Sequence, residues 1–388
     1  MRTIKIALGM IISSLNSDEE LMRFIDNAER YGHKLDCAIV AYTKNLDARA
    51  ANRINERVPF FAVDINDPGY CRNQFRRRGI SEKAIKALLE CPVDTGRGLV
   101  PYGFNRNIVT IEAILRDVDI LFFVDSDVSP TVLKMTPNGP RHEDVDFFGA
   151  HLEYLKSGSQ ITTGEYSGYN ILPPATFDGM DDLLHGLHKA DMLEYWQSSN
   201  THRCLAFEPS ERESRPCTKI LGGNTAIRLS AFSDLPPFYS SYYTYHDEMY
   251  FCRGEDTVLG VGIAKSGIAC TDIGLNPLHD TYMTYPKEPN LRDDPATQKR
   301  FYYACTGWVG RNPFLSYVNG ADPKPEREFQ RERLERGLSA LAEYTSNPRY
   351  GSVLGNFDAS WESLGHYISE YDQILEAWEE FKERSLLT

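Results

Sequence analysis

The chain has 388 residues, 41% of them hydrophobic, with 55 acidic against 42 basic side chains and a formal net charge of −13. That length and apolar content suit one large or two modest domains, and the acidic balance argues against a general affinity for nucleic acid or an anionic membrane surface. No apolar run approaches the roughly 20 residues that span a bilayer, and the eight cysteines contain no C-x-x-C pair, which points to reduced thiols in a cytoplasmic protein.

Residues 4–13 read as a first buried strand. The N-terminus superficially resembles a signal peptide but lacks a small-x-small cleavage site. Ser17, with Glu20 three residues later, predicts a capping box, and Leu21, Phe24, Ile25 and Ala28 follow at helical spacing. A second strand is expected over 37–42, a polar helix over 46–57, and a third strand over 59–64 that ends in Asp64. Helices are expected over 81–90 and 105–116, then a strand over 119–124. The basic run 76–78 reads as a solvated face, with contact to an anionic substrate as the alternative.

Four alternations of strand and helix predict an α/β fold, a mostly parallel, Rossmann-like sheet flanked by helices that binds ligands at the carboxyl ends of its strands. Ser13, Asp64 and the acids at 125 and 127 fall on that edge. Beyond residue 145 the pattern loosens. Residues 156–218 read as irregular structure with short strands, 268–273 as one more strand, and 326–345 and 360–384 as helices. The last carries an apolar stripe of Leu364, Tyr367, Ile368, Tyr371, Ile374, Leu375, Trp378 and Phe381, suited to packing on the main body or to a homo-oligomer contact through the C-terminal helices.

The 119–124 strand stops at Asp125-Ser126-Asp127. In a strand, side chains i and i+2 share a face, so both acids would reach one point in a cleft. Mg²⁺ or Mn²⁺ favours carboxylate oxygen and leaves room for phosphate oxygens. The structural alternative is an Asp-rich turn. Phe104-Asn-Arg-Asn107 opens the preceding helix, and Arg106 offers a donor fork suited to phosphate. Leu221-Gly-Gly-Asn224 permits close backbone approach at Gly222 and Gly223. Glu255 and Asp256 precede an apolar helix start; N-capping accounts for one acid and leaves the other for chemistry. His279 stands in a loop as a potential metal ligand.

That order of motifs resembles the GT-A glycosyltransferases, most closely the family-2-like group that uses nucleotide-sugar donors, over roughly residues 4–285. The resemblance implies a nucleotide-sugar-binding half over 1–145, an acceptor-binding and catalytic half over 146–320 and a helical extension over 321–388. It implies Asp125 near the donor ribose and the Mn²⁺ or Mg²⁺ ion, Asp127 as a ligand, and His279 as a further ligand. It puts Arg106 and Ser126 close to the nucleotide, Gly222 and Gly223 at the donor sugar with Asn224 nearby, and Asp256, beside Glu255, as general base of an inverting transfer. The sequence departs from the group where strand two usually ends in paired acids; here it reads Ala41-Tyr42-Thr43-Lys44. Tyr42 can stack on a base instead, and Asp64 can serve base recognition from the third strand. Tyr239, Tyr242, Tyr243, Tyr245 and Trp308 are candidates for a sugar platform, and the acceptor is expected to be a small molecule, a saccharide or a protein. Two rivals stand beside this reading. A sugar-1-phosphate nucleotidyltransferase would carry a Gly-rich basic loop after the first strand, where this chain has Ser13-Ser-Leu-Asn-Ser17. The other is a non-catalytic saccharide-binding protein.

Overall fold

Four apolar segments near the N-terminus pair as parallel strands: β1 (Ile6–Leu15), β2 (Cys37–Leu46), β3 (Phe60–Asp64) and β4 (Ile120–Val124). The computed structural model describes residues 3–93, 100–137, 139–168, 172–192, 214–285 and 287–385. Further strands are β5 (Val128–Ser129), β6 (Thr131–Thr136), β7 (Gly139–Asp144), β8 (Ile161–Thr163), β9 (Arg215–Pro216), β10 (Asn224–Arg228), β11 (Tyr242–Tyr245), β12 (Glu248–Phe251), β13 (Cys270–Asp272) and β14 (Leu278–His279). Eight of them form one sheet in the order β3-β2-β1-β4-β10-β8-β13-β9. It is an α/β architecture with a mostly parallel central sheet flanked by helices. The pairs of β10 with β4 and with β8 are antiparallel, so the second half of the chain extends the sheet begun by the first.

The strands read as continuous apolar runs because both faces are covered. In β4, Leu121 and Phe123 pack on one side with the helices 69–77, 82–89 and 102–115. Ile120, Phe122 and Val124 pack on the other with the helices 19–30 and 147–156. A third core joins the helices Met180–Gly186, Pro295–Val318, Pro323–Thr345 and Ser352–Glu362.

Several sequence expectations change. The capping box does not form: Ser17 Oγ accepts from Glu19 N at 3.1 Å, and one Glu20 carboxylate oxygen is buried with no partner among the described residues. The expected helix 360–384 is two helices, Ser352–Glu362 and Leu364–Ser385. Helices at Gly69–Arg77, Phe147–Lys156 and Pro295–Val318 were not anticipated. The last is buried on nearly every face, from Phe301 through Trp308 to Ser316, so it carries no amphipathic period to detect. Its start does carry a signal, Asp294 as N-cap followed by Pro295. Of the irregular stretch 156–218, the residues 169–171 and 193–213 lie outside the described residues.

The C-terminal stripe is consumed by the chain's own body. Phe381 stacks on Phe75 at 5.0 Å, and Trp378 donates to the Leu235 carbonyl at 3.2 Å. Among the described residues no helix is long and apolar enough to cross a membrane. The seven described cysteines are free thiols.

Candidate active site

β4 ends at Val124, and the next residues turn: Val128 N donates to the Asp125 carbonyl at 3.1 Å. The shared-face argument for Asp125 and Asp127 therefore fails, because a turn rather than a strand joins them, and their carboxylates diverge. Ser126 occupies the turn, partly exposed. Immediately after it β5 pairs with β14, setting Val128 opposite His279. That short ladder brings a histidine 152 positions away beside Asp127, with Nε2 at 3.1 Å from Oδ1. Arg300, from the unanticipated helix 295–318, reaches Asp127 Oδ2 at 3.3 Å. Burial works against charge on Asp127, but His279 and Arg300 outweigh it and hold its pKa down at about 2. Burial likewise opposes charge on His279, and Asp127 prevails, so the imidazole pKa is raised.

Asp125 turns the other way, into a knot around Arg106. The Arg106 side chain is 3% exposed. Its Nε donates to Glu255 at 2.8 Å, Nη1 to the Gly222 carbonyl at 3.0 Å and Nη2 to Asp125 at 3.1 Å. Burial opposes the guanidinium charge; Asp125 and Glu255 more than compensate. Burial pushes the Glu255 carboxyl pKa up, with Arg106 pulling it back only in part. The Arg-Asn, Asp-Ser-Asp, Gly-Gly-Asn and Gly-Glu-Asp motifs thus meet at one side chain. Glu255, expected beside the base, is spent on this pair.

The two glycines follow from register. Antiparallel pairing sets Asn224 opposite Val124, so Gly223 faces Asp125. A Cβ on Gly223 would lie 2.5 Å from Asp125 Oδ2 and 2.7 Å from the Tyr166 hydroxyl, and one on Gly222 would overlap the Arg106 guanidinium. The glycines admit protein groups here. Asn224 departs from its expected place near the donor. It is fully buried, its amide donating to the Glu165 and Leu275 carbonyls at 3.0 Å each while Oδ1 meets His151 Nε2 at 3.1 Å. Every polar group of that side chain is engaged inside the fold.

Asp256 is different. Oδ2 accepts from Gly222 N at 3.3 Å, Oδ1 from Thr257 N at 2.7 Å, and the carboxylate lines a cavity of about 220 Å³ with Asp125, Tyr166, Arg253, His279 and Trp308. Ser13, Tyr42 and Asp64 sit on the same sheet edge outside that cavity. Tyr42 pairs in register with Asp64, and the Ser13 carbonyl accepts from Thr43. From β4 to β3 is three strand spacings, about 14 Å. Burial, then the neighbouring Asp64 charge, raises the Tyr42 phenol pKa.

The tyrosine platform is overturned for two members. Tyr239 and Tyr243 are core residues whose hydroxyls bond Glu370 and the Thr306 carbonyl at 2.7 and 3.0 Å. Tyr242 and Tyr245 lie on β11 and do not line the cavity; Trp308 does. Sequence reasoning missed Tyr166, Arg253 and Arg300. No local signal marks them, since each reaches the site through tertiary packing alone.

Whether these residues fit a divalent cation is a question of donor chemistry. Two atoms held about 2.1 Å from one ion at right angles stand about 3.0 Å apart, and the Asp127–His279 separation is 3.1 Å. His279 Nδ1 is buried with no hydrogen-bond partner among the described residues. Carboxylate oxygen and imidazole are donor types that suit Mn²⁺ or Mg²⁺, and a cation there would replace the Asp127–His279 contact. Asp125 does not join them, and among the described residues no cluster of three or more His, Cys, Asp or Glu is close enough to hold a metal.

No family model and no curated protein matches the chain. Similar solved structures include glucosyl-3-phosphoglycerate synthase from Mycobacterium tuberculosis in complex with Mn²⁺, uridine diphosphate and glucosyl-3-phosphoglycerate, at 13% identity and TM-score 0.40, covering 82% of this chain and 81% of that one. Another is S. aureus TarS 1–349, at 10% identity and TM-score 0.39, covering 98% and 92%. Likenesses this remote assign neither substrate nor reaction to this chain.

Proposed function

We propose that the protein is a glycosyltransferase that moves a sugar from a nucleoside-diphosphate sugar to a hydroxyl acceptor, with inversion, in the cavity beside Asp256. The observation that carries this reading is the Asp256 carboxylate, which has no ion pair among the described residues and faces a cavity that Asp125 and His279 also line. The division into a donor half over 1–145, an acceptor half over 146–320 and a helical extension over 321–388 belongs to the same proposal.

The nucleotide would lie along the sheet edge from Asp125 toward Asp64, with Ser13 and Tyr42 between. Asp127 and His279 would hold the cation. When bound, a Mn²⁺ or Mg²⁺ ion there supplies Lewis-acid neutralisation of the departing diphosphate. Arg106 acts as a positioning residue: it fixes the Asp125 carboxylate, the Gly222 backbone and the first turn of the helix 255–266. Gly222 N and Thr257 N orient Asp256. Asp256 accepts the acceptor's hydroxyl proton as that oxygen bonds the anomeric carbon, and the bond to phosphate breaks with its electron pair leaving on the diphosphate. General-base help of this kind is worth about 10²–10⁴-fold.

The test is calorimetry with nucleoside diphosphates with and without Mn²⁺, followed by transfer assays with the sugar nucleotide that binds. Metal-dependent binding in the wild type, lost in Asp127→Ala, is expected, as is a rate loss of at least about 100-fold in Asp256→Asn. Absence of metal-dependent nucleotide binding would overturn the reading. Pyrophosphate release from sugar 1-phosphate and nucleoside triphosphate would replace it with a nucleotidyltransferase.

A further inference from the structure

The cavity at Asp256 shares a wall with a larger chamber of about 700 Å³. Four side chains line both: Lys189, Lys219, Thr257 and Arg311. Three of the four are cationic. The far side adds Lys265, and the chamber's acid is Glu326. Four basic side chains against one acid reverse the balance of a chain with 55 acidic and 42 basic residues. Neutral donors, Thr218, Asn319 and Gln330, and the imidazoles of His185 and His188 complete the polar lining.

Arg311 is 4% exposed, its Nη2 fixed on Asn312 Oδ1 at 3.3 Å, and its side chain packs against the backbone of Gly254, whose φ is +97°. A guanidinium held that firmly presents a planar fork suited to carboxylate or phosphate. Lys219 meets Glu165 at 3.4 Å, Lys189 lies 5.2 Å over the Trp308 ring, and Lys265 donates to the Val318 carbonyl. Neither Arg106 nor Arg300 lines this chamber.

We infer that the acceptor is an anion, a hydroxyl compound bearing a phosphate or carboxylate, with its hydroxyl at Asp256 and its charged group across the wall among Lys189, Lys219 and Arg311. The acceptor role rests on the transferase reading; the anion site does not.

The experiment titrates the full chain by calorimetry with inorganic phosphate and, in a separate arm, acetate, without nucleotide or metal. Saturable binding of one or both is expected, weakened at least tenfold in Arg311→Gln and in Lys189→Gln/Lys219→Gln, and unchanged in Asp127→Ala. The lysine pair keeps the test alive should Arg311→Gln fail to fold. No saturable binding, equal binding by the lysine variant, or loss in Asp127→Ala instead would overturn the anion site, whatever the nucleotide does. With the donor in hand, glucose 6-phosphate and glucuronate compete as trial acceptors against glucose. Transfer at least tenfold better to a charged member supports the acceptor role, and preference for glucose refutes it. An intact anion site in a chain that binds no nucleotide would sink the transferase reading alone.

Discussion

Arg106→Met separates a structural pillar from a phosphate ligand. The arginine is buried with Glu255, whose side chain is 7% exposed, and their charged pair spans 2.8 Å. Removing one partner of such a pair leaves an uncompensated buried charge and costs about 3–5 kcal/mol, whereas replacing both is often neutral. An unfolding entropy of about 2.1 cal/mol/K per residue over 388 residues is about 0.8 kcal/mol/K, so Arg106→Met should lower Tm by about 4–6 °C. Adding Glu255→Leu should recover at least half of that, since the pair then goes together. The assay is thermal unfolding of the two single variants and the double, followed by near-UV circular dichroism. A single variant as stable as wild type, or a double variant whose loss equals the sum of the singles, would refute the idea that Arg106 and Glu255 are energetically coupled.

Gly223→Ala forces a methyl against Asp125 and the Tyr166 hydroxyl; we expect at least about tenfold weaker nucleotide binding by calorimetry, because small displacements in a site are costly. Burial, partly offset by the Asn224 hydrogen bond, lowers the His151 pKa from 6.5 to about 4. The unfolded chain therefore binds the proton first, and stability is lost as pH falls from 6.5 toward 4, by up to about 3 kcal/mol; urea unfolding of His151→Gln should show a shallower pH dependence across that window. Tyr243→Phe removes hydroxyl bonds to the Thr306 carbonyl and Asn356 Oδ1, so it should cost about 1–3 kcal/mol of stability while leaving the acceptor KM unchanged; a KM effect without a stability effect would restore the platform.

The parallel half of the fold was largely legible because each of its strands is a short apolar run bounded by turn chemistry, and the helices 19–30, 48–55 and 82–89 keep one polar face; the helix 102–115, buried along nearly its whole length, showed only as an apolar run. Phe122 and Phe123, on opposite faces of β4, are both buried, and the run reads the same whichever side is counted. The helix 295–318 was not legible for the converse reason: burial on all sides erases the 3.6-residue period. The same difference governs the site. Asp125, Asp127, Gly223 and Asp256 stand at element boundaries, where residue type and position carry meaning. Arg300 and Tyr166 stand within segments whose approach to Asp127 and Gly223 depends on long-range packing. The motif residues were found together, but their partition was not: that Asp125 faces Arg106 while Asp127 faces His279 is decided by a turn hydrogen bond and a two-residue ladder.

That partition decides which residues bear on catalysis. Arg106, Glu255, Gly222, Gly223 and Asn224 are each accounted for by the fold, through a buried ion pair, a close backbone approach or a filled hydrogen-bond set. A non-catalytic protein on the same sheet would need all of them, so their presence weighs equally for an enzyme and a scaffold. Asp256 answers to no such demand. It is partly exposed, and its contacts are to backbone N–H groups and the Thr257 hydroxyl, with no ion pair among the described residues. Asp256→Asn keeps the shape and one of the two acceptor oxygens, so it should change stability by less than about 1 kcal/mol while abolishing base function. Thermal unfolding and transfer rate measured on the same preparation decide between the two. A variant that loses rate and keeps its Tm places the carboxylate in the chemistry, and one that loses both in proportion makes it one more strut of the Arg106 knot.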